Sequence, residues 1–130
     1  MKKDFKKWHD EKSTIHEKRP YVFFQEREVW FCSLGVNVGY EQDGSGAEFL
    51  RPIVVLKKFN TEILFAVPLT KGKKKERPFY FALSFRPRVR STAILSQLRL
   101  LDAKRLRYKA GTVSEDVFKK LKAKIRQLLA

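Results

Sequence analysis

Arg51-Pro52-Ile53-Val54-Val55-Leu56-Lys57-Lys58-Phe59-Asn60-Thr61-Glu62-Ile63-Leu64-Phe65-Ala66-Val67-Pro68-Leu69-Thr70 decides the fold. The apolar run Pro52 to Leu56 is short, continuous and β-branched, the pattern of a strand buried on both faces. Lys57 to Thr61 is polar and carries a turn residue, Asn60. Ile63 to Val67 then reads as the returning strand, and Pro68, which has no N–H for a ladder, predicts its end. The two runs make one hairpin. Arg51 and Thr70 bound it, so the fold brings them near one another. An arginine at the mouth of an apolar strand must meet an anion or water. A structural ion pair with Glu41 or Glu48 and a bound ligand anion both answer that need.

Outward from the hairpin, Val29 to Leu34 is β-branched and aromatic and reads as a strand. Gly35 to Gly46 is a loop with four glycines, at 35, 39, 44 and 46. On the other side, Phe79 to Phe85 predicts a strand, Ala93 to Leu101 a further strand, and Arg105 to Tyr108 a short one before Gly111. Ser114 is an N-cap, followed by Glu115 and Asp116 where the helix dipole favours anions. Val117, Phe118, Leu121, Ile125, Leu128 and Leu129 form one helical stripe. Near the start, Asp4 caps a charged helix over residues 4–18 that Pro20 ends. Its thin stripe, Phe5, Trp8, Lys12 and Ile15, needs a surface to pack on. The expected architecture is mainly β (α+β): an antiparallel barrel closed by a C-terminal helix. Residues 1–26 are an N-terminal helical extension and 27–130 the barrel domain.

The chain has 130 residues, with 29 Lys and Arg against 14 Asp and Glu, a net +15. Its apolar share, 43%, is too high for a disordered basic tail and enough for one core. No apolar run is long enough for a membrane span and no signal-like segment opens the chain, which predicts a soluble cytoplasmic protein. The charge is uneven. Residues 21–70 sum to −2, whereas 71–90 carry eight basic residues against one acidic. A local excess of this kind points to a polyanion, most commonly nucleic acid. Lys71, Lys73, Lys74, Lys75 and Arg77 form its centre. The usual catalytic sets are thin. His9 and His16 lie in the charged first helix and read as surface residues. Cys32 lies in an apolar strand and reads as a buried structural thiol, and a single cysteine excludes an intrachain disulfide. There is no P-loop, GxSxG or HExxH.

Several pieces occur in a telling order: Tyr40-Glu41-Gln42-Asp43-Gly44, Arg51-Pro52-Ile53-Val54-Val55-Leu56, Val67-Pro68-Leu69-Thr70, Ile94-Leu95-Ser96-Gln97, Arg105, and Gly111-Thr112-Val113 before a terminal amphipathic helix. In this order the chain, from about Val29 onward, resembles the PemK/MazF family of toxins from bacterial type II toxin–antitoxin modules. The resemblance implies an SH3-like barrel of the PemK/MazF/CcdB type, a homodimer, no cofactor, and a metal-independent endoribonuclease acting on single-stranded RNA and restrained by a cognate antitoxin. The family's catalytic arginine and threonine fall on Arg51 and Thr70. Its E-Q pair falls on Glu41, a candidate base, and Gln42, an RNA contact together with Gln97. The first 26 residues have no counterpart in the shortest members, and the stretch from Gly44 to Arg51 is longer than the family's usual link.

The chemistry suits these residue types. RNA cleaves when its 2′-hydroxyl attacks the adjacent phosphate. Arg51 can present a fork of donors to the phosphate oxygens, and Thr70 a hydroxyl. Arginine stays charged and is a poor proton carrier, hence the interest of Glu41. Two other functions compete on sequence alone: a non-catalytic barrel toxin that poisons a protein such as DNA gyrase, and a structural RNA-binding protein.

Overall fold

A computed structural model describes residues 2–46, 48–72 and 77–130. The elements run α1 (Phe5–Lys18), β1 (Glu28–Ser33), β2 (Leu50–Lys58), β3 (Ile63–Lys71), β4 (Tyr80–Arg86), β5 (Val89–Ile94), β6 (Arg99–Asp102), β7 (Leu106–Thr112) and α2 (Glu115–Leu129). Among the described residues the strands form one curled antiparallel sheet in the order β4-β5-β3-β2-β1-β7, with β6 also beside β3. The fold class is therefore mainly β, as expected.

The hairpin is the spine, and its unbroken apolar run has a geometric reason. Alternate residues of a strand point to opposite faces. Ile53 and Val55 join Trp30, Cys32, Leu64, Ala66 and Leu106 in one core. Val54 and Leu56 join Val67, Leu69, Phe118, Leu121 and Ile125 in the other, beneath α2. Each such side chain taken from water contributes about 1.5–3 kcal/mol, so both faces resist polar substitution.

Two boundaries differ from expectation. Pro68 does not stop the return strand, which continues to Lys71. The outer edge of β3 pairs β6 through Ile63 to Ala66 and β5 from Leu69 onward. Pro68 falls at the handover, where its missing N–H interrupts no outer ladder. The predicted single strand Ala93 to Leu101 is instead the end of β5, a 3-10 turn at Leu95–Gln97, and β6. Leu69 pairs with Ala93 and Ala66 with Arg99, so three steps along β3 match six along this segment. The turn absorbs the three extra residues while keeping Leu95 in the core.

Strand β7 is longer than predicted because it pairs β1 as far as Glu28 opposite Thr112. Gly111 lets the barrel close there: a Cβ would stand 2.6 Å from the carbonyl oxygen of Phe85 in β4. The Ser114 hydroxyl caps α2 by accepting from Val117 N–H at 3.3 Å. The stripe on α2 is shorter than expected: Phe118, Leu121 and Ile125 are buried, whereas Leu128 and Leu129 are exposed. Asp4 caps α1 through Lys7 N–H at 2.9 Å, and Trp8 and Ile15 bury against Phe49 and Val36. Phe5 and Lys12, also placed on that stripe, are exposed. No described helix is long and apolar enough to cross a membrane.

Candidate active site

Arg51 stands near the start of β2, paired with Cys32 of β1. On the other side the pairing of β2 with β3 runs to Ile53 opposite Pro68, and Arg51 and Thr70 each lie two residues beyond that pair. Arg51, Thr70 and Lys71 line one groove of about 590 Å³ with Phe31, Phe85 and Arg86. The local sequence explains the arrangement: the hairpin register aligns the Arg and the Thr, and curling of the sheet brings the end of β4 over them.

The guanidinium is half-buried and its partners are carbonyls. Nε donates to Asp43 O, and Nη1 donates to Leu69 O at 3.2 Å. Neither Glu41 nor Glu48 pairs with it. Glu41 accepts from Val38 N–H at 2.8 Å, and Glu48 is held by Arg107 at 2.7 Å and by Arg19 at 3.6 Å. Burial lowers the Arg51 pKa and the charge of Asp43 raises it in part. The group stays cationic, since an arginine begins above about 12. Among the described residues Nη2 is uncommitted, and so is the Thr70 hydroxyl. A half-desolvated cation with a free donor beside a free hydroxyl is an anion-seeking arrangement.

Arg86 was missed as a site residue. Its Nε donates to Ala110 O, which ties β4 to β7, and its charge faces the same groove. The basic run Arg86, Arg88, Arg90 was visible in the sequence, but only the barrel's closure shows which of the three turns to Arg51. Phe31, stacked on Tyr108 with ring centroids 4.9 Å apart, and Phe85 give the groove aromatic surface.

Glu41, Gln42 and Gln97 are not in this groove. They line a neighbouring cavity of about 360 Å³ with Asn37, Pro68, Ser96 and Arg99. Gln97 Nε2 donates to Tyr40 O at 3.4 Å. Of the basic run, Lys71 lies in the Arg51 groove. Arg77 is exposed and its carbonyl accepts from Lys124 at 3.5 Å and Tyr80 N–H at 3.0 Å, toward α2. Lys73, Lys74 and Lys75 lie outside the described residues. His9 and His16 are exposed on α1. Cys32 is fully buried, which pushes its thiol up to about 12, so it is no nucleophile at neutral pH.

Residues 25–129 match the family model for PemK-like, MazF-like toxins of type II toxin–antitoxin systems. The chain belongs to this family. Among solved structures, the MazF of Deinococcus radiodurans is 23% identical with a TM-score of 0.60, over 85% of this chain and 98% of that one. An endoribonuclease from a mycobacterial species is 16% identical with a TM-score of 0.61, over 85% and 95%. Another, in complex with its cognate antitoxin, is 16% identical with a TM-score of 0.60, over 82% and 95%. At these identities the structures testify to the fold. Among curated proteins none matches. As a PemK/MazF-like toxin, the chain carries its Arg-Pro and Pro-x-Thr motifs on facing strands of one groove, while α1 lies outside the matched residues.

Proposed function

We propose that this toxin is an endoribonuclease that cuts single-stranded RNA by 2′-hydroxyl attack, with Arg51 and Thr70 as its catalytic pair. The observation that carries the reading is the state of Arg51: a half-buried cation oriented by two carbonyl oxygens, with no carboxylate in ion-pair contact among the described residues, sharing its groove with the Thr70 hydroxyl. In the reaction the 2′-oxygen forms a bond to phosphorus and the bond to the 5′-oxygen breaks, leaving a 2′,3′-cyclic phosphate and a 5′-hydroxyl end. Charge builds on the non-bridging oxygens, where the free Nη2 of Arg51 meets it at no reorganisation cost. Thr70 donates to the same phosphate or orients the attacking hydroxyl. Lys71 and Arg86 hold flanking phosphates, joined by Lys73, Lys74, Lys75 and Arg77 of the basic run. Phe31 and Phe85 offer stacking surface.

Gln42 and Gln97, in the neighbouring cavity, present amides to bases. Glu41, bonded to Val38 N–H, serves the loop in the resting geometry rather than the scissile phosphate. The family resemblance further supports metal independence, a homodimer in the cytoplasm, and restraint by a cognate antitoxin whose acidic segment competes with RNA for the basic groove. Residues 1–26 act as an extension to the barrel domain 27–130. Incubation with a mixed RNA pool in excess EDTA tests the reading. Discrete fragments support it. Intact RNA with the purified, dimeric protein refutes it.

A further inference from the structure

The loop between β1 and β2 is held by its own turns and bonds and, in addition, by Lys3 and α1, which the family model does not cover. The Lys3 side chain is only 6% exposed. Its Nζ donates to Asn37 O, to Gly39 O at 3.0 Å, and to the Asp43 carboxylate at 3.0 and 3.1 Å. The same carboxylate accepts from Asn37 N–H at 2.7 Å, and Asn37 Nδ2 donates to Gln42 O at 2.8 Å. The carbonyl of Asp43 is the acceptor for Arg51 Nε. A continuous chain of polar contacts therefore runs from Lys3, just ahead of α1, to the guanidinium. It has an apolar anchor. Trp8 packs on Phe49 with centroids 5.3 Å apart and covers Gly35, where a Cβ would stand 1.9 Å from the indole. Phe49 sits at φ +56, a conformation that surrounding structure must hold in place. Gly44, whose N–H donates to Gly35 O at 2.7 Å, lies so close beneath Phe49 that a Cβ would stand 1.5 Å from its carbonyl oxygen.

We infer that Lys3 is a positioning residue for Arg51: it fixes the Asp43 peptide whose carbonyl aims the guanidinium, with Trp8 anchoring α1 on the loop. A nearly buried ammonium is held in place by two carbonyls and a carboxylate, and its loss leaves Asp43 without the ion pair it makes among the described residues. The consequence for rate rests on the proposed role of Arg51. The consequence for Arg51's hydrogen bond does not.

The test uses the untagged full chain with ¹⁵N-arginine labelling, the Arg51 Nε–H signal being assigned by its loss in Arg51→Lys. In Lys3→Met its exchange with solvent rises about tenfold, as expected for loss of a charge-assisted bond that holds its acceptor. In Lys3→Arg, which keeps the charge, exchange stays near wild type. Cleavage follows: kcat falls about tenfold in Lys3→Met while KM for RNA holds within about twofold, and Lys3→Arg restores the rate. Unchanged Arg51 exchange in Lys3→Met overturns the inference, as does faster exchange with unchanged kcat in an enzyme that Arg51→Ala inactivates. Full activity in Arg51→Ala would sink the catalytic assignment instead, and the exchange rates would still decide whether Lys3 holds Arg51.

Discussion

The groove that holds Arg51 and the cavity that holds Gln42 and Gln97 are built differently. The groove of Arg51, Thr70 and Lys71 is made by strands, and its residues are set by ladder register on a spine buried on both faces. The cavity of Glu41, Gln42 and Gln97 is made by a loop and a 3-10 turn, and side-chain bonds hold it. The first is cationic with aromatic walls. The second offers amides, a hydroxyl and one carboxylate, together with Arg99. Strand-built geometry suits chemistry, where a small misplacement is costly, and loop-built geometry suits recognition, where adjustment is tolerated. Arg51 lines only the first but depends on both kinds of element. It rides on β2, yet its Nε is aimed by the loop.

Substitutions can break or sharpen that division. Arg51→Ala has the largest expected effect, a loss of about 10³-fold in cleavage, the cost of removing an oxyanion donor. Circular dichroism should show the fold intact, because only two carbonyls lose a partner. Gly44→Ala strikes the border between the two regions. Its Cβ cannot coexist with Phe49 O, so the loop shifts and cleavage falls about 10²-fold with the strands unaltered. An unimpaired Gly44→Ala enzyme would show that the loop does not aim Arg51. Thr70→Val, nearly isosteric, should cost about tenfold in kcat through one lost hydrogen bond. An unchanged rate would make Thr70 a strand former only.

Glu41→Gln tests the other cavity. Its amide oxygen still accepts from Val38 N–H, so the rate should hold within about threefold. A drop comparable to that of Arg51→Ala would restore Glu41 as the base. The smallest effect is expected at the rim. Lys71→Ala and Arg86→Ala should each lower the log–log salt slope of RNA binding by about 0.7, the value for one phosphate contact to a single strand. An unchanged slope would mean that their charge faces solvent.

The same division explains what could be read from the sequence. The hairpin was legible because a β-branched run, a turn residue and a β-branched return mark its two strands. Its register was not: a bulge between Val55 and Lys57 shifts the pairing by one, and the register at the turn, Lys58 opposite Leu64, would otherwise carry Arg51 to Lys71. The helix caps at Asp4 and Ser114 were equally local. Pro68 and the segment Ala93 to Leu101 misled because their state depends on which strands flank β3, a fact of topology rather than of local pattern. Glu41 and Gln42 stand beside Arg51 in motif order, yet the loop places them in a different cavity. Arg86 and Lys3 were invisible as site residues for the same reason. Each is more than 30 residues from Arg51 in the chain, Arg86 reaching the groove from β4 and Lys3 through Asp43.

The central claim is that Arg51 and Thr70 promote attack by the substrate's own 2′-hydroxyl. The most direct measurement is the chemistry of the new ends, read by mass spectrometry on a single-stranded oligoribonucleotide cut in EDTA. The account predicts a 2′,3′-cyclic phosphate or its opened monophosphate on one fragment and a 5′-hydroxyl on the other, and no cleavage of the oligonucleotide bearing 2′-deoxy at the cut site. A 5′-phosphate end, or cleavage of the deoxy-substituted strand, would contradict it.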